Sequence, residues 1–553
     1  MNPQRFAFII VLAGGAWLGV TWLMRSPPAH VAPLPTHPSS FLASPRAEPA
    51  AGASPRSDSE ETARDRRRSE ILDTLRRALV RSDARPREAV LTFADADAYR
   101  RFLDRAQQLG LTVLGQLDAL RTVRVRYGRL TALADDLAAH GNDYAHVGAN
   151  TYLRIPAPPA KVDRAAIDQV PLRNTTLAFL GVAEDHGHWG SGVTLAVLDS
   201  GVAPDATFGP GRVQYLNIGL GTLPGVGPED GHGTSVAALA AGASPDAAGV
   251  APAATVLSIR VTDSEGRSDL FTVAQAILAA VDAGAPVINL SLGGNGTGPA
   301  LDAAIDYATT RGTAIVAAAG NDQAAQLAWP AADPRVISVG AVDALAQQVL
   351  FSNSGPQLQI SAPGYGVQTA WLDGQRVYVD GTSASAPLVA GAIAAVMSQN
   401  PGFTAAQAWA VVRQTTSDAG APGADPDYGQ GVLNLDWAMN QANPAHLDPA
   451  VSSHYYDSAQ RQMEFVVQNR SARPVSGLAL DVAANGFTTT HPIPEIAAGA
   501  SYVVSVPVDP QTLAAGSGLT FTTHLVTPAG VIDSNPANNQ LSSHLSPPAA
   551  SVK

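Results

Sequence analysis

From about Ala166 to Ala445 the chain alternates short β-branched runs with alanine-rich helical ones, and this alternation constrains the fold more than any other feature. VTLAVLDSG, ATVLSIRV, PVINLSLGG, GTAIVAAAGN and VISVGAV lack a polar alternate face, so they read as strands buried on both sides. VAALAAGA, LFTVAQAILAAVDAG, ALDAAIDYATTRG and SAPLVAGAIAAVM read as the helices between or after them. The combination specifies an α/β domain with an open parallel sheet covered by helices. Such sheets collect their active sites at the carboxyl ends of strands.

At 553 residues the chain exceeds what one core serves, and its pattern changes on both sides of this domain. Phe6 to Met24 is an apolar run bounded by Arg5 and Arg25, long enough at helical rise to span about 28 Å. Residues 1–25 are therefore expected to be a membrane anchor or export signal, and residues 26–66 a flexible Pro/Ala/Ser-rich linker. Both readings put the remainder outside the cytoplasm, secreted or in the periplasm or cell envelope, with the precursor held as a single-pass membrane protein if the anchor is kept. Residues 67–160 follow a β-α-β-β-α-β order, a ferredoxin-like α+β unit. Residues 161–445 hold the parallel sheet. Residues 446–553 carry QMEFVVQNR, SGLALDVA, SYVVSVPV and LTFTTHLV, short strands that indicate a small β-sandwich with a flexible tail.

Composition removes several functions. With no cysteine, thiol catalysis, thiolate metal sites and disulfides are excluded. A net charge of -12 gives no long-range attraction to nucleic acid, and Arg64, Arg66, Arg67 and Arg68 read as a solvated helix face. His186 and His188 have metal-like spacing without a further ligand set, and GGNG at 293–296 lacks the lysine of a phosphate loop.

Three polar residues sit at element boundaries of the parallel-sheet domain. Asp199 ends VTLAVLD, His232 lies in DGHGT ahead of a helix, and Ser383 lies in GTSASAP ahead of another. A serine hydroxyl is a poor nucleophile until a base takes its proton. Imidazole does this near neutral pH, and a carboxylate fixes its tautomer and supports the imidazolium.

Leu198-Asp199-Ser200-Gly201-Val202, Asp230-Gly231-His232-Gly233-Thr234, Asn289-Leu290-Ser291-Leu292-Gly293-Gly294, Ala319-Gly320-Asn321 and Gly381-Thr382-Ser383-Ala384-Ser385-Ala386-Pro387 together resemble the signature blocks of the subtilisin-like serine peptidases. The resemblance spans about residues 166–440, and the order Asp, His, Ser is that of subtilisins. It implies a serine endopeptidase that works through an acyl-enzyme on Ser383, with His232 as base, Asp199 as its partner and Asn321 as oxyanion donor. It implies an extended polypeptide substrate held by Ser291, Leu292 and Gly293; Gly293 and the small Ala317 to Ala319 run, with Ala318 and Ala319 beside the substrate, leave room for an apolar group next to the scissile bond, so broad, hydrophobic-preferring cleavage is expected. The chemistry requires no cofactor, and a structural calcium is left open without support in the sequence. Residues 67–160 resemble an inhibitor-like propeptide, which makes the chain's own N-terminal unit an intramolecular inhibitor removed by autoprocessing between Thr151 and Arg164, with membrane contact through the N-terminal segment before that cut. Residues 446–553 resemble, weakly, adhesion-type immunoglobulin-like domains. Two positions depart from the family: Ser235 stands where histidine is usual, and Ala384 where methionine is. The competing readings are a non-catalytic surface binding protein on a peptidase fold and a serine esterase, the latter opposed by the absence of a G-x-S-x-G elbow.

Overall fold

The computed structural model describes residues 58–156, 169–182, 185–227, 229–509, 513 and 518–545. Its first helix, α1 (Asp58–Leu79), carries Arg66 and Arg68 exposed to solvent. There follow β1 (Ala84–Phe93), α2 (Ala96–Ala106), β2 (Leu111–Leu117), β3 (Thr122–Tyr127), α3 (Leu130–His140) and β4 (Tyr144–Arg154). The strands form an antiparallel sheet in the order β2-β3-β1-β4. Helix α2 starts where the Asp95 carboxylate accepts the Ala98 N–H at 2.8 Å, satisfying one of the donors a helix start leaves open. Phe93, Phe102 and Tyr144 stack at the centre of this unit's core, with Phe93 and Phe102 centroids 4.8 Å apart.

The large domain begins with α4 (Thr176–Phe179), β5 (Thr194–Asp199), β6 (Val213–Leu216), α5 (His232–Ala241), β7 (Thr255–Arg260), β8 (Arg267–Asp269), α6 (Leu270–Asp282) and β9 (Val287–Leu290). It continues with α7 (Pro299–Thr310), β10 (Ala314–Ala318), β11 (Ile337–Val342), β12 (Ile360–Pro363), β13 (Val367–Ala370), β14 (Arg376–Val379), α8 (Thr382–Gln399), α9 (Ala405–Gln414) and α10 (Leu435–Asn440). Seven strands pair in parallel in the order β12-β11-β10-β9-β5-β7-β6. Two apolar clusters line the sheet. One gathers α5 and α8, the other α6 and α7, as a parallel sheet buried on both faces requires. Helix α8 is buried from Thr382 through Val396, which is why its sequence is apolar all round.

The expected strands and helices of this domain occur where the sequence indicates. The edge strand β6, the three-residue β8, the β13–β14 hairpin and the short helices are additions, too brief to leave a periodic signal. After α10 come β15 (Pro449–Asp457), β16 (Gln462–Asn469), β17 (Ala479–Ala484), β18 (Phe487–Pro492), β19 (Ser501–Pro507), β20 (Leu519–Val526) and β21 (Gln540–Leu545). They make antiparallel sheets β15-β16-β19 and β18-β17-β20-β21, with Phe465, Leu480 and Phe521 in one shared core.

The expectation of a membrane-spanning segment is corrected. Among the described residues no helix is long and apolar enough to cross a membrane, and the longest, α1, is charged along its length. The run from Phe6 to Met24, on which that expectation rested, lies outside the described residues, as does most of the 26–66 linker.

The N-terminal unit joins the large domain at the start of α6. Strand β4 pairs antiparallel with β8, matching Tyr152 to Asp269, Leu153 to Ser268 and Arg154 to Arg267. Asp269 is fully buried and caps α6 by accepting the Thr272 N–H at 2.9 Å, while Arg85 and Arg124 reach it at 2.6 and 3.3 Å. Asn150 accepts the Phe271 N–H at 3.2 Å and is itself held by Glu88, so a second orphan donor of the same helix is met from the N-terminal unit. Asp269→Ala in a Ser383→Ala background removes a cap and strands two arginines, and should cost about 2–4 kcal/mol in urea unfolding. A loss below about 0.5 kcal/mol, the level of an ordinary surface change, would contradict this account of the junction.

Candidate active site

Asp199 closes β5 at the carboxyl end of the sheet, His232 opens α5, and Ser383 sits in the first turn of α8. His232 Nδ1 lies 2.9 Å from Asp199 Oδ1, and the side chains are 15% and 0% exposed. An ionised carboxylate only accepts, so the imidazole proton belongs on Nδ1, which leaves Nε2 as the acceptor. The Ser200 N–H donates to the same Asp199 oxygen at 2.7 Å, fixing the carboxylate from its own backbone. Burial works to lower the affinity of His232 for its proton. The Asp199 charge, its hydrogen bond and the more distant Glu229 outweigh burial, so the net displacement is upward from 6.5.

Ser383 is held by a reciprocal pair of hydrogen bonds. Pro387 has no N–H to offer the carbonyl four residues before it, which is that of Ser383. Ser291 Oγ donates to that carbonyl instead at 2.9 Å, and Ser383 Oγ donates to the Ser291 carbonyl at 3.2 Å. Asn289 Nδ2 fixes the Ser291 hydroxyl in turn at 3.0 Å. Asn289 and Pro387 stand inside the recognised sequence blocks without a chemical role assigned to them. Their service is to place and satisfy the backbone of the Ser383 turn.

Asn321 follows β10 and its Oδ1 accepts from the Thr382 N–H at 2.9 Å and the Thr382 hydroxyl at 2.8 Å. A backbone N–H cannot accept, so the amide orientation is settled and Nδ2 faces the other way. A Cβ on Gly381, whose φ is +145°, would stand 2.9 Å from that nitrogen. Thr382 is thus the residue that aims Asn321, and sequence reading passed over it because it lay beside the more conspicuous Ser383.

A cleft of about 270 Å³ brings His232, Ser383 and Asn321 together with Glu229, Ser235, Val236, Ala384 and Pro156. Trp371 and residues 377–380 of the β13–β14 hairpin form its far wall. Ser235 and Ala384, the two smaller-than-usual residues, both face this space, so their effect falls on its shape. Of the other expected substrate contacts, Gly293 is on the cleft's backbone edge and Leu292 is buried in the core cluster that contains Leu153. Ala318 and Ala319 are 2% and 0% exposed and do not line the cavity.

The residues after β4 run into this cleft as an extended strand between two edges. Arg154 and Gly293 exchange both backbone hydrogen bonds at 2.8 Å, and the Ile155 N–H donates to the Gly266 carbonyl at 2.9 Å. Leu153 and Ile155 point inward at 0% and 6% exposure while Arg154 is exposed, the two-residue alternation of a strand. The GGNG run finds its reason here. A Cβ on Gly294 would come within 2.8 Å of the Tyr152 carbonyl, so glycine admits the incoming backbone. Of the two spaced histidines, His186 bonds the Gly249 carbonyl at 3.2 Å and packs edge-on against Trp189.

Among the described residues one group of side chains could hold a metal ion, Asp436, His446 and Asp448, and none of them lines the cleft.

Comparison with known proteins agrees with this geometry. A model of the Subtilase family matches residues 190–431. The thermostable alkaline protease of Halalkalibacterium halodurans is 34% identical over 264 residues, 47% of this chain and 71% of that one. Subtilisin BL of Lederbergia lenta is 35% identical over 266 residues, 46% of this chain and 94% of that one. The crystal structure of the epidermin leader peptide processing serine protease of Staphylococcus aureus superposes with a TM-score of 0.52 at 20% identity, over 64% of this chain and 98% of that one, which bears on the fold alone. With an Asp–His pair, a buried serine and a polar amide converging at the carboxyl ends of a seven-stranded parallel sheet, the chain belongs to the subtilase family and is a subtilisin-like serine endopeptidase.

Proposed function

We propose that the protein is an exported endopeptidase made as a latent precursor, in which the N-terminal unit inhibits the active site by occupying it and is then cut away by that site. The observation that carries this reading is the pairing of residues 152–155 with both edges of the cleft. That is how an extended polypeptide adds itself as a strand: backbone pairing supplies affinity and alternate side chains fill pockets. The tail is then the enzyme's first substrate. Its inward residues, Leu153 and Ile155, indicate a preference for apolar side chains on the amino-terminal side of the cut.

In the reaction, Ser383 Oγ turns from the Ser291 carbonyl to His232 Nε2, gives up its proton there and attacks the peptide carbonyl carbon. Asn321 Nδ2 and the Ser383 N–H donate to the oxygen that becomes negative, where a preorganised donor contributes most. The imidazolium, steadied by Asp199, passes its proton to the leaving amine, and the acyl-enzyme is hydrolysed by water through the same steps. These roles for Asp199, His232, Ser383 and Asn321 are supported by the Asp199–His232 contact, the Thr382 clamp on Asn321 and the shared cleft. Ser291, Leu292 and Gly293 act as the edge of the substrate channel, and the buried Ala318 and Ala319 support it through packing, without lining the cavity.

Because Pro156 already lines the cleft beside Ser383, the cut is expected just after it, within residues 157–164. Incubation of the exported portion, residues 26–553, should give a wild-type fragment beginning in that window by intact mass, while Ser383→Ala stays full length. Full-length protein in both, or cleavage ahead of Tyr152, would overturn the reading.

The pH dependence follows from the His232 environment. With its proton held above the usual 6.5, the base is freed only at higher pH, so kcat/KM of the processed enzyme should fall on an acid limb lying above 6.5. Glu229→Gln removes a charge that holds the proton, so the limb should move to lower pH. An unmoved limb, or one at or below 6.5 in wild type, would refute the assignment.

A further inference from the structure

Away from the cleft, where the large domain hands over to the β-domain, three side chains from consecutive segments converge. Asp436 lies in α10, His446 in the connection that follows, and Asp448 just ahead of β15. One ligand atom from each, the imidazole nitrogen and a carboxylate oxygen of either aspartate, lies within 4.8 Å of the others. His446 is 7% exposed and its Nε2 is buried without a hydrogen-bond partner, 3.5 Å from Asp436 Oδ2. A buried imidazole nitrogen left without a hydrogen bond is costly, and aimed at two carboxylates it has the chemistry of a ligand.

The surroundings hold the carboxylates in position. Asn440 Nδ2 donates to Asp436 Oδ1 at 3.1 Å and Asn538 Nδ2 donates to Asp448 Oδ1 at 2.8 Å. One oxygen of each aspartate is thus fixed by an asparagine amide, the arrangement by which an outer shell orients metal-ligating carboxylates. The nearby buried cation, Arg470, gives its guanidinium hydrogen bonds to Gln468 and Ser452, while its backbone N–H donates to the Asp448 carbonyl at 2.9 Å and its charge offsets part of that of the two aspartates without a side-chain hydrogen bond to either carboxylate. We propose that Asp436, His446 and Asp448 form a structural site for a divalent transition-metal ion of the zinc class, which ties the last helix of the peptidase domain to the first strand of the β-domain. One imidazole and two carboxylates suit zinc-class ions better than calcium or magnesium, which favour all-oxygen shells. Ligand distances of about 2.0–2.2 Å require the three donors to draw in by about an ångström, within reach of side-chain rotation. In a chain without cysteine such a clasp does the work a disulfide does elsewhere.

Metal-stripped full-length chain carrying Ser383→Ala, to prevent proteolysis, is titrated with zinc chloride and its bound zinc measured after gel filtration, beside His446→Gln and Asp436→Asn/Asp448→Asn in the same background. The expected result is about one zinc per chain retained by the parent and lost by both variants, with a rise of a few degrees in the unfolding transition of the parent only. No zinc above the level of the variants, or equal zinc in all three, overturns the site. If the variants fail to fold, anomalous scattering at the zinc edge from crystals of the parent decides alone: a peak among Asp436, His446 and Asp448 sustains the proposal, and a peak elsewhere or none refutes it.

Discussion

The chemistry of this chain depends on the burial of one helix. Helix α8 is enclosed from its first residue for four turns, so every backbone group in its first turn needs an internal partner. Pro387 withdraws the donor that would serve the Ser383 carbonyl, and Ser291, arriving at the end of β9, supplies the replacement. The position of Ser383 is thereby set by the parallel sheet through a two-way bond with its neighbouring strand end. The same sheet sets the other groups, because β5 delivers Asp199 and β10 leads to Asn321 at the same carboxyl edge. A loss of register between β9 and α8 would therefore disturb catalysis before it disturbed the core.

The second constraint is the open edge on either side of the cleft. Gly293 and Gly266 present backbone groups that must be paired or hydrated, and the tail after β4 pairs them. That tail is continuous with a sheet whose Arg85, Arg124 and Asn150 hold the start of α6. Occupation of the cleft and support of a helix in the large domain are thus coupled in one unit. Removing the unit, as the proposed processing requires, would expose Asp269, the α6 donors and the edges that the tail covers together, and leave them to water and substrate.

Much of this was legible in the sequence because the large domain's strands are buried on both faces and its helices are long. β5, β7, β9, β10 and β11 leave continuous apolar runs; three of the five signature blocks sit at the ends of β5, β9 and β10, and the other two open α5 and α8. What escaped was short or depended on contacts distant in sequence. The three residues of β8 carry no period, yet they pair with a strand over a hundred residues earlier, the one whose continuation reaches the cleft. Trp371 and the β13–β14 hairpin shape the cleft's other side without any motif. Thr382 and Asn289 were visible as letters, but their roles exist only once Asn321 and Ser291 are in place. Ala318 and Ala319, a small-residue run next to an expected oxyanion donor, read as leaving room beside the substrate; both are packed inside the sheet layer, a burial that the letters alone do not reveal.

The central claim is that Ser383 is the nucleophile, made reactive by His232. The most direct measurement is labelling of the processed protein with a serine-directed phosphonate, followed by peptide mapping of the adduct. A single adduct is expected on Ser383, formed in the wild type and lost in His232→Ala while the fold, followed by circular dichroism, is kept. No adduct on a folded wild-type protein, an adduct on another serine, or undiminished labelling of Ser383 without His232 would contradict it.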